Sequence, residues 1–329
     1  MSHDKRIQWI DIAKGISIIL VVLGHSGEFI GNHFLAWFRM PLFFFLSGLL
    51  FKPIDRSIFI KWAANKTTRM LIPYFSFGIL ILIIFGYPDY YNLSTKITNL
   101  MYGGIKLTGE YGVFWFITCL LLTQIMFGFL SAYSVRTQII VISVSYVLAH
   151  FISATSLKEV AIPWNADVVL LTLTYYSLGY YLKQWILNNV NNLKLLFIFI
   201  IIVFIFVYLD FDSVISYKLD LKYKEYHNIL LDFIIPISFF LPICAISYQL
   251  TKYRLSKVLS WLGKNTITIM YLHIPVNLLV KEAFSVDYGF VLFTIVGTVF
   301  PLLLGLLFRQ SKTLTFLFLN SNLQRFLIK

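Results

Sequence analysis

Residues 9–25 read Trp-Ile-Asp-Ile-Ala-Lys-Gly-Ile-Ser-Ile-Ile-Leu-Val-Val-Leu-Gly-His, an apolar run with Lys14 near one end and His25 at the other. Ionisable side chains at membrane depth are costly, and they usually face a bundle interior or a wet cavity. At a rise of about 1.5 Å per residue, a helix separates these two side chains by roughly 16 Å along its axis. Alternatively, Lys14 only reaches the membrane surface and His25 only bonds a neighbouring helix.

The rest of the chain has the composition of a membrane protein. Its 329 residues are 59% hydrophobic and 13% charged, outside the range of soluble globular proteins. Runs long enough to cross a bilayer predict an all-α, polytopic helix bundle with about ten transmembrane helices, in a single domain spanning 1–329 with a short N-terminus and a C-terminal tail at 309–329. The predicted spans are 11–30, 34–51, 70–87, 112–131, 137–154, 166–184, 193–209, 228–250, 264–281 and 288–308.

The distribution of charge supports this topology. Alternating the loops from a cytoplasmic N-terminus places most of the 27 Lys and Arg residues on the cytoplasmic side, as the positive-inside rule requires. We therefore expect both termini to be cytoplasmic and the protein to lie in the inner (plasma) membrane. The net charge of +12 is explained by these short loops rather than by a nucleic-acid-binding domain. Cys119 and Cys244 fall in separate predicted spans, which favours neither a disulfide nor a metal site.

Five polar or amphipathic side chains are predicted to lie in the outer half of the bundle: His25, Glu28, Arg39, Trp115 and His273. Glu28 follows His25 by three residues and shares its helix face. A buried guanidinium such as that of Arg39 needs a partner or an anionic ligand. Trp115 also fits an interfacial aromatic belt, and His273 also fits a structural bond between helices.

A second cluster is predicted at the cytoplasmic end. Lys66 and Arg69 are separated by one helical turn, so both can face the same way. Together with Lys14 they could hold phosphate groups, the arginine bidentately and the lysines as point charges. The roughly 16 Å from Lys14 to His25 then matches the reach of an extended pantetheine arm. The positive-inside rule alone also accounts for basic residues in such loops.

Five segments of the chain resemble motifs of the membrane-bound acyltransferase-3 family, and of its fucose 4-O-acetylase-like members in particular. The segments occur in the same order as the family's motifs. They are Trp9–His25, Arg39–Gly48 (Arg-Met-Pro-Leu-Phe-Phe-Phe-Leu-Ser-Gly), Lys66–Tyr74, Tyr111–Ile117 and Leu262–His273. One departure is Lys66, which stands where the family often has arginine. The resemblance covers most of the chain.

The resemblance implies a membrane O-acetyltransferase that moves an acyl group, usually acetyl, from cytoplasmic acyl-CoA to a carbohydrate hydroxyl. On this hypothesis His25 is the general base, and Glu28 orients it. Arg39 and His273 polarise the thioester carbonyl or stabilise the oxyanion. Lys14, Lys66 and Arg69 bind the phosphates of acetyl-CoA, Trp115 binds substrate, and no metal is needed. The expected partners are the acyl-CoA, a carbohydrate acceptor, the lipid bilayer and either a second copy or glycan-assembly proteins.

Two other classes of function are compatible with the same residues. A flippase for a polysaccharide or a lipid-linked glycan would use buried charges along a conduit, and a non-catalytic export partner would use none of them as catalysts. No convincing internal repeat is visible, which weakens the transporter alternative. Release of free CoA from acetyl-CoA distinguishes a transferase from both.

Overall fold

The fold is described here from a computed structural model that covers residues 7–27, 29, 31–86, 92–226 and 228–319. Helices make up nearly all of its regular structure. They are α1 (Gln8–Gly24), α2 (Asn32–Ala36), α3 (Arg39–Leu49), α4 (Phe59–Phe85), α5 (Leu93–Tyr102), α6 (Trp115–Leu130), α7 (Val135–Ser153), α8 (Val169–Asn189), α9 (Leu193–Phe211), α10 (Leu231–Leu250), α11 (Leu255–Lys264), α12 (Thr266–Phe284), α13 (Phe290–Phe308) and α14 (Lys312–Phe318). Two short strands, β1 (Leu219–Asp220) and β2 (Glu225–Tyr226), form an antiparallel hairpin.

The all-α membrane class predicted from the sequence is confirmed. A helix occupies the position of every predicted span, and seven helices of the described chain are long and apolar enough to cross a membrane: α4, α6, α7, α9, α10, α12 and α13. The other three predicted spans correspond to α1, to α2 with α3, and to α8. These are shorter, or they carry polar groups such as Thr172 and Thr174. The total of ten spans and the side of the termini stay predictions.

Several predicted boundaries were wrong. Helix α1 ends at Gly24, so His25 caps the helix instead of lying within a span that continues to residue 30. The predicted span 34–51 is two helices, because Phe38 leaves the helical conformation between α2 and α3. Pro41 fits the position of the restart, because it has no N–H to donate and in the first turn of a helix that N–H has no partner to lose.

Helix α4 begins at Phe59, eleven residues before the predicted span at 70–87. Lys66 and Arg69 therefore lie on the helix itself and not in a loop that precedes it. The N-terminal part of α4 carries the charges and the C-terminal part is apolar, so a hydropathy window sees only the second half.

Close backbone contacts between glycines fix the centre of the bundle. Helix α1 packs against α11, α10, α13, α3 and α12. A methyl group added to Gly263 would lie 1.7 Å from the Asp11 carbonyl oxygen, and one on Gly15 would lie 2.2 Å from that of Leu259. Only residues without a side chain permit such an approach, as is common between membrane helices. This contact sets the position of α1, and with it that of Lys14 and His25.

Glycines also allow close backbone contact between α3 and α8. A methyl group on Gly48 would lie 1.9 Å from the Tyr176 carbonyl oxygen, and one on Gly179 would lie 2.1 Å from that of Phe45. In contrast, α9 buries none of its residues within the chain. Its apolar surface suits contact with lipid.

The hairpin β1–β2 lies between α9 and α10 in the chain, and β2 packs against α7. Tyr217, Leu219 and Leu221 alternate along the chain, and all three are buried. The Tyr217 carbonyl oxygen accepts a hydrogen bond of 3.0 Å from the indole N–H of Trp37. Lys224 donates to a carboxylate oxygen of Asp167 at 2.6 Å. The hairpin is thus tied to the start of α3 and to the segment before α8.

Candidate active site

Two cavities lie beside α1, one at its C-terminal end and one at Lys14. The first, which we call the His25 cavity, has a volume of about 320 Å³. It is lined by residues of α1, α2, α3, α6, α12, the segment before α6 and the hairpin. Its polar and charged lining residues are His25, Arg39, Thr108, Trp115, Asp220, Lys222 and Tyr223.

The geometry of His25 fixes its tautomer. Its Nδ1 lies 2.7 Å from the carbonyl oxygen of Val21, one turn earlier on α1. A carbonyl oxygen only accepts hydrogen bonds, so Nδ1 carries the proton and Nε2 of the neutral ring has the lone pair. Since His25 lines the cavity, the chain presents there an imidazole suited to accept a proton.

His273 lies behind His25 and is fully buried. Its Nδ1 is 2.8 Å from the Ile269 carbonyl oxygen, which likewise fixes the proton on Nδ1. Its Nε2 is 3.4 Å from Nδ1 of His25, so the N–H of His25 is shared between Val21 and His273. His273 does not line the cavity. His273 is therefore placed to orient His25 and not to contact a substrate.

Arg39 begins α3 and reaches the end of α1. Its Nη1 donates to Oδ1 of Asn32 at 2.9 Å. A methyl group on Gly24 would lie 1.4 Å from the same Nη1, so the glycine leaves the space that the guanidinium fills. The absence of a side chain at Gly24 therefore lets Arg39 lie next to His25.

The hairpin contributes two charged residues to the same cavity. Lys222 is only 8% exposed, and its ammonium group donates to the carbonyl oxygens of Leu107 at 2.5 Å and Gly112 at 3.1 Å. Burial lowers the pKa of Lys222 from its ordinary value to about 8, with the Asp220 carboxylate acting in the opposite direction. Both Arg39 and Lys222 are close enough to His25 for their charges to act on it.

The second cavity, which we call the Lys14 cavity, has a volume of about 300 Å³. Lys14, Lys66 and Arg69 all line it. The positive charges of Arg69 and Lys14 both act on Lys66, so the three cations form one cluster. Such a cluster is suited to an anionic ligand with several oxygens, phosphate above all.

Two polar side chains on the wall of the Lys14 cavity, Ser47 and Gln124, could contact an amide. The side-chain N–H₂ of Gln124 donates to Oγ of Ser47 at 2.8 Å, and both residues line the cavity. The Oε1 atom of Gln124 is buried and has no hydrogen-bond partner among the described residues. A buried acceptor of this kind costs free energy unless a ligand or water supplies a donor.

The two cavities meet at one layer of side chains. Met270 of α12 lines both of them. At the start of α6, Trp115 lines the His25 cavity, and Phe116 lines the Lys14 cavity. Met270 therefore belongs to the boundary between the two cavities.

The structure brings most of the predicted site residues to these two places. His25, Arg39 and Trp115 share one cavity wall, with His273 behind it, and Lys14, Lys66 and Arg69 share the other cavity. Glu28 lies outside the described residues. In the part of the chain that the structure describes, no three potential metal-ligating side chains cluster together.

Three residues of the two cavities, Asp220, Lys222 and Gln124, are not among those predicted from the sequence. The hairpin residues lie between the predicted spans 193–209 and 228–250. A signal was present: from Tyr217 to Tyr223 the sequence Tyr-Lys-Leu-Asp-Leu-Lys-Tyr alternates apolar and charged residues, as a half-buried strand does. Gln124 lies in an apolar span next to Thr123, and no motif marks it as a site residue.

Comparison with known protein families gives one match. A family model described as an acyltransferase domain matches residues 7–310, which is most of the chain and includes all the site residues named above. No curated protein and no solved structure matches the chain closely enough to support a comparison.

Proposed function

Since the chain belongs to the acyltransferase-3 family and is a multi-pass membrane acyltransferase, we propose that it transfers an acetyl group from acetyl-CoA to a carbohydrate hydroxyl. The acceptor on this proposal is a cell-surface glycan or its lipid-linked precursor. The protein would lie in the inner (plasma) membrane, with the Lys14 cavity open to the cytoplasm. Family membership does not favour the flippase alternative.

One observation supports this proposal above the others: the cation cluster and the His25 imidazole occupy two cavities that share Met270. Acetyl-CoA has the matching shape, with phosphates at one end, a thioester at the other and an extended pantetheine arm between them. The helical distance of roughly 16 Å between Lys14 and His25 suits that arm.

The Lys14 cavity would bind the donor. Lys14, Lys66 and Arg69 would contact the phosphates, Arg69 through its fork of donors and the lysines as point charges. The pantetheine arm carries two amide N–H groups. The buried Oε1 of Gln124 is an acceptor for one of them, because it has no other partner among the described residues.

The His25 cavity would hold the reacting groups. Nε2 of His25 takes the proton of the acceptor hydroxyl while that oxygen attacks the thioester carbonyl carbon. The tetrahedral intermediate then collapses, the C–S bond breaks, and the sulfur leaves with the proton held by His25. The products are an acetyl ester and free CoA.

Arg39 and His273 would assist this step in different ways. Arg39 lies on the cavity wall next to His25, where its guanidinium can stabilise the oxyanion of the intermediate. His273 contacts only the Nδ1 side of His25 and would orient the ring and share its N–H. In this proposal His273 is a positioning residue, and it does not touch the thioester.

A thiol-release assay tests the proposal. Purified protein with acetyl-CoA and candidate sugars should release free CoA and add an acetyl mass to the sugar. Lys66→Gln and Arg69→Gln should raise the KM for acetyl-CoA more than they lower kcat, because phosphate contacts bind donor and transition state alike. Lys61→Gln, on an exposed turn of the same helix, is the matched control and should change neither. The proposal fails if no acetyl ester forms with any glycan from the cell surface.

A further inference from the structure

The hairpin β1–β2 places a buried lysine in the wall of the His25 cavity, where the acceptor must bind if the proposed function is right. From this placement we propose that the acceptor glycan bears an anionic group, a carboxylate or a phosphate, and that Lys222 binds it. The inference rests on the proposed function and specifies its acceptor class.

Lys222 makes no salt bridge in the described chain, although the carboxylate of Asp220 acts on it from a greater distance. Its ammonium group contacts two backbone carbonyl oxygens, those of Leu107 and Gly112. Among the described residues it takes part in no salt bridge, whereas Lys218 and Lys224 of the same hairpin pair with Glu225 and Asp167. Neutral acceptors hydrogen-bond an ammonium group but do not compensate its charge, so burial of Lys222 is costly without an anion.

The charges on the cavity wall point the same way. Of the described residues that line it, Arg39 and Lys222 are cationic, and Asp220 is the one carboxylate. Asp220 also accepts a hydrogen bond from the backbone N–H of Tyr223, within the turn of the hairpin. Its charge acts on both cations and cannot neutralise the two together. A single anion on the ligand would balance this wall.

The proposed chemistry gives the anion a second effect. When His25 accepts the hydroxyl proton it becomes a cation, and it does so beside Arg39 and Lys222. Like charges in a cavity of low dielectric repel strongly. A carboxylate or phosphate close to Lys222 offsets that repulsion, so an acidic acceptor should react faster than the corresponding neutral one.

The native acceptor can be identified in cells. Surface glycans and lipid-linked glycans are isolated from cells with the wild-type protein and from cells with His25→Ala, and the acetylated residue is located by mass spectrometry. We expect the wild-type-specific acetyl group on an acidic sugar, or on a sugar linked directly to phosphate. These two sources of the anion are distinguished by the fragment masses. An acetyl group on a glycan that has neither group nearby would overturn the inference and leave the proposed function intact.

Purified protein then tests the residue. The acceptors are methyl glucuronide, glucose 1-phosphate and the neutral methyl glucoside, with acetyl-CoA as donor and free CoA as readout. We expect kcat/KM at least about tenfold higher for the anionic acceptors, the factor expected for one charge-assisted contact of about 1.4 kcal/mol. Lys222→Met should remove this preference and Lys222→Arg should retain it. Lys218→Gln, an exposed position on the same hairpin, should leave it unchanged.

The outcome that contradicts the role of Lys222 is equally specific. If Lys222 only ties the hairpin to Leu107 and Gly112, Lys222→Met lowers the unfolding temperature and reduces turnover of charged and neutral acceptors by the same factor. Absence of CoA release with every acceptor, including the native glycan, contradicts the proposed function itself.

Discussion

At the scale of single residues, His25 is held in one orientation by the Val21 carbonyl oxygen and by His273. We expect His25→Ala to lower transfer at least about a hundredfold, the usual contribution of a general base. The measurement is kcat for CoA release, with the inserted protein quantified and its unfolding temperature compared with wild type. Wild-type turnover in the variant would end the role of His25 as base. Loss of inserted protein instead would show that the residue is structural.

The contribution of Arg39 to turnover should depend on the shape of its side chain as well as on its charge. We expect Arg39→Lys to be nearly as damaging as Arg39→Ala, about a hundredfold or more in kcat, because an ammonium group cannot contact both Asn32 and a carbonyl oxygen in a plane. Turnover is measured at saturating donor and acceptor. If Arg39→Lys keeps most activity while Arg39→Ala loses it, Arg39 supplies charge alone.

Lys222 gives the site a specific pH dependence. Its pKa of about 8 means that the side chain is cationic below that pH and loses its charge above it. For anionic acceptors, kcat/KM should therefore fall as the pH rises through about 8. Asp220, His25 and Arg39 act on the same cavity, so the control is Lys222→Arg, which stays charged and should abolish this fall. An identical decline in both proteins would assign the titration to another group.

The sequence predicted that some of the site residues lie close together, but it did not predict this for Asp220 and Lys222. Counting residues from the ends of the spans gave His25, Arg39 and Trp115 similar depths, and the structure places them on one cavity wall. Asp220 and Lys222 could not be placed in this way, because their position depends on long-range contacts of the hairpin. The bond from Trp37 to Tyr217 joins residues 180 apart in the chain, and no local pattern encodes it.

At the scale of elements, hydropathy located the helices and failed where helices break. Pro41 and Phe38 divide one predicted span, and the charged first half of α4 was assigned to a loop. Both errors have the same cause: a hydropathy window averages over the apolar part of a segment and does not detect where backbone hydrogen bonding starts or stops. The short helix α11 was missed for the same reason, although its contact with α1 positions Lys14.

The glycine contacts between helices predict a stability effect that is independent of catalysis. Gly48→Ala places a methyl group 1.9 Å from the Tyr176 carbonyl oxygen, so α3 and α8 must separate. We expect a loss of about 1–3 kcal/mol, typical of overpacking, seen as a lower unfolding temperature in detergent. Ser177→Ala on α8 is the control, since its hydroxyl bonds only within its own helix. Equal stability of the Gly48 variant and wild type would show that these helices are farther apart.

In the molecule as a whole, two neighbouring cavities lie beside α1, one at His25 and one at Lys14. Met270, Trp115 and Phe116 lie at their boundary. In the proposed function, the Lys14 cavity binds the phosphates of the donor and the His25 cavity holds the acceptor. The reaction would then join a soluble cytoplasmic donor to a glycan on the other side of the membrane.

Transfer across a sealed membrane can be measured with labelled donor. Acetyl-CoA labelled in the acetyl group is enclosed in vesicles that contain the protein, and the acceptor glycan is supplied outside only. We expect label to appear on the outside glycan with the wild-type protein and not with His25→Ala. Label that reaches the glycan only when donor and acceptor share one side of the membrane would contradict it.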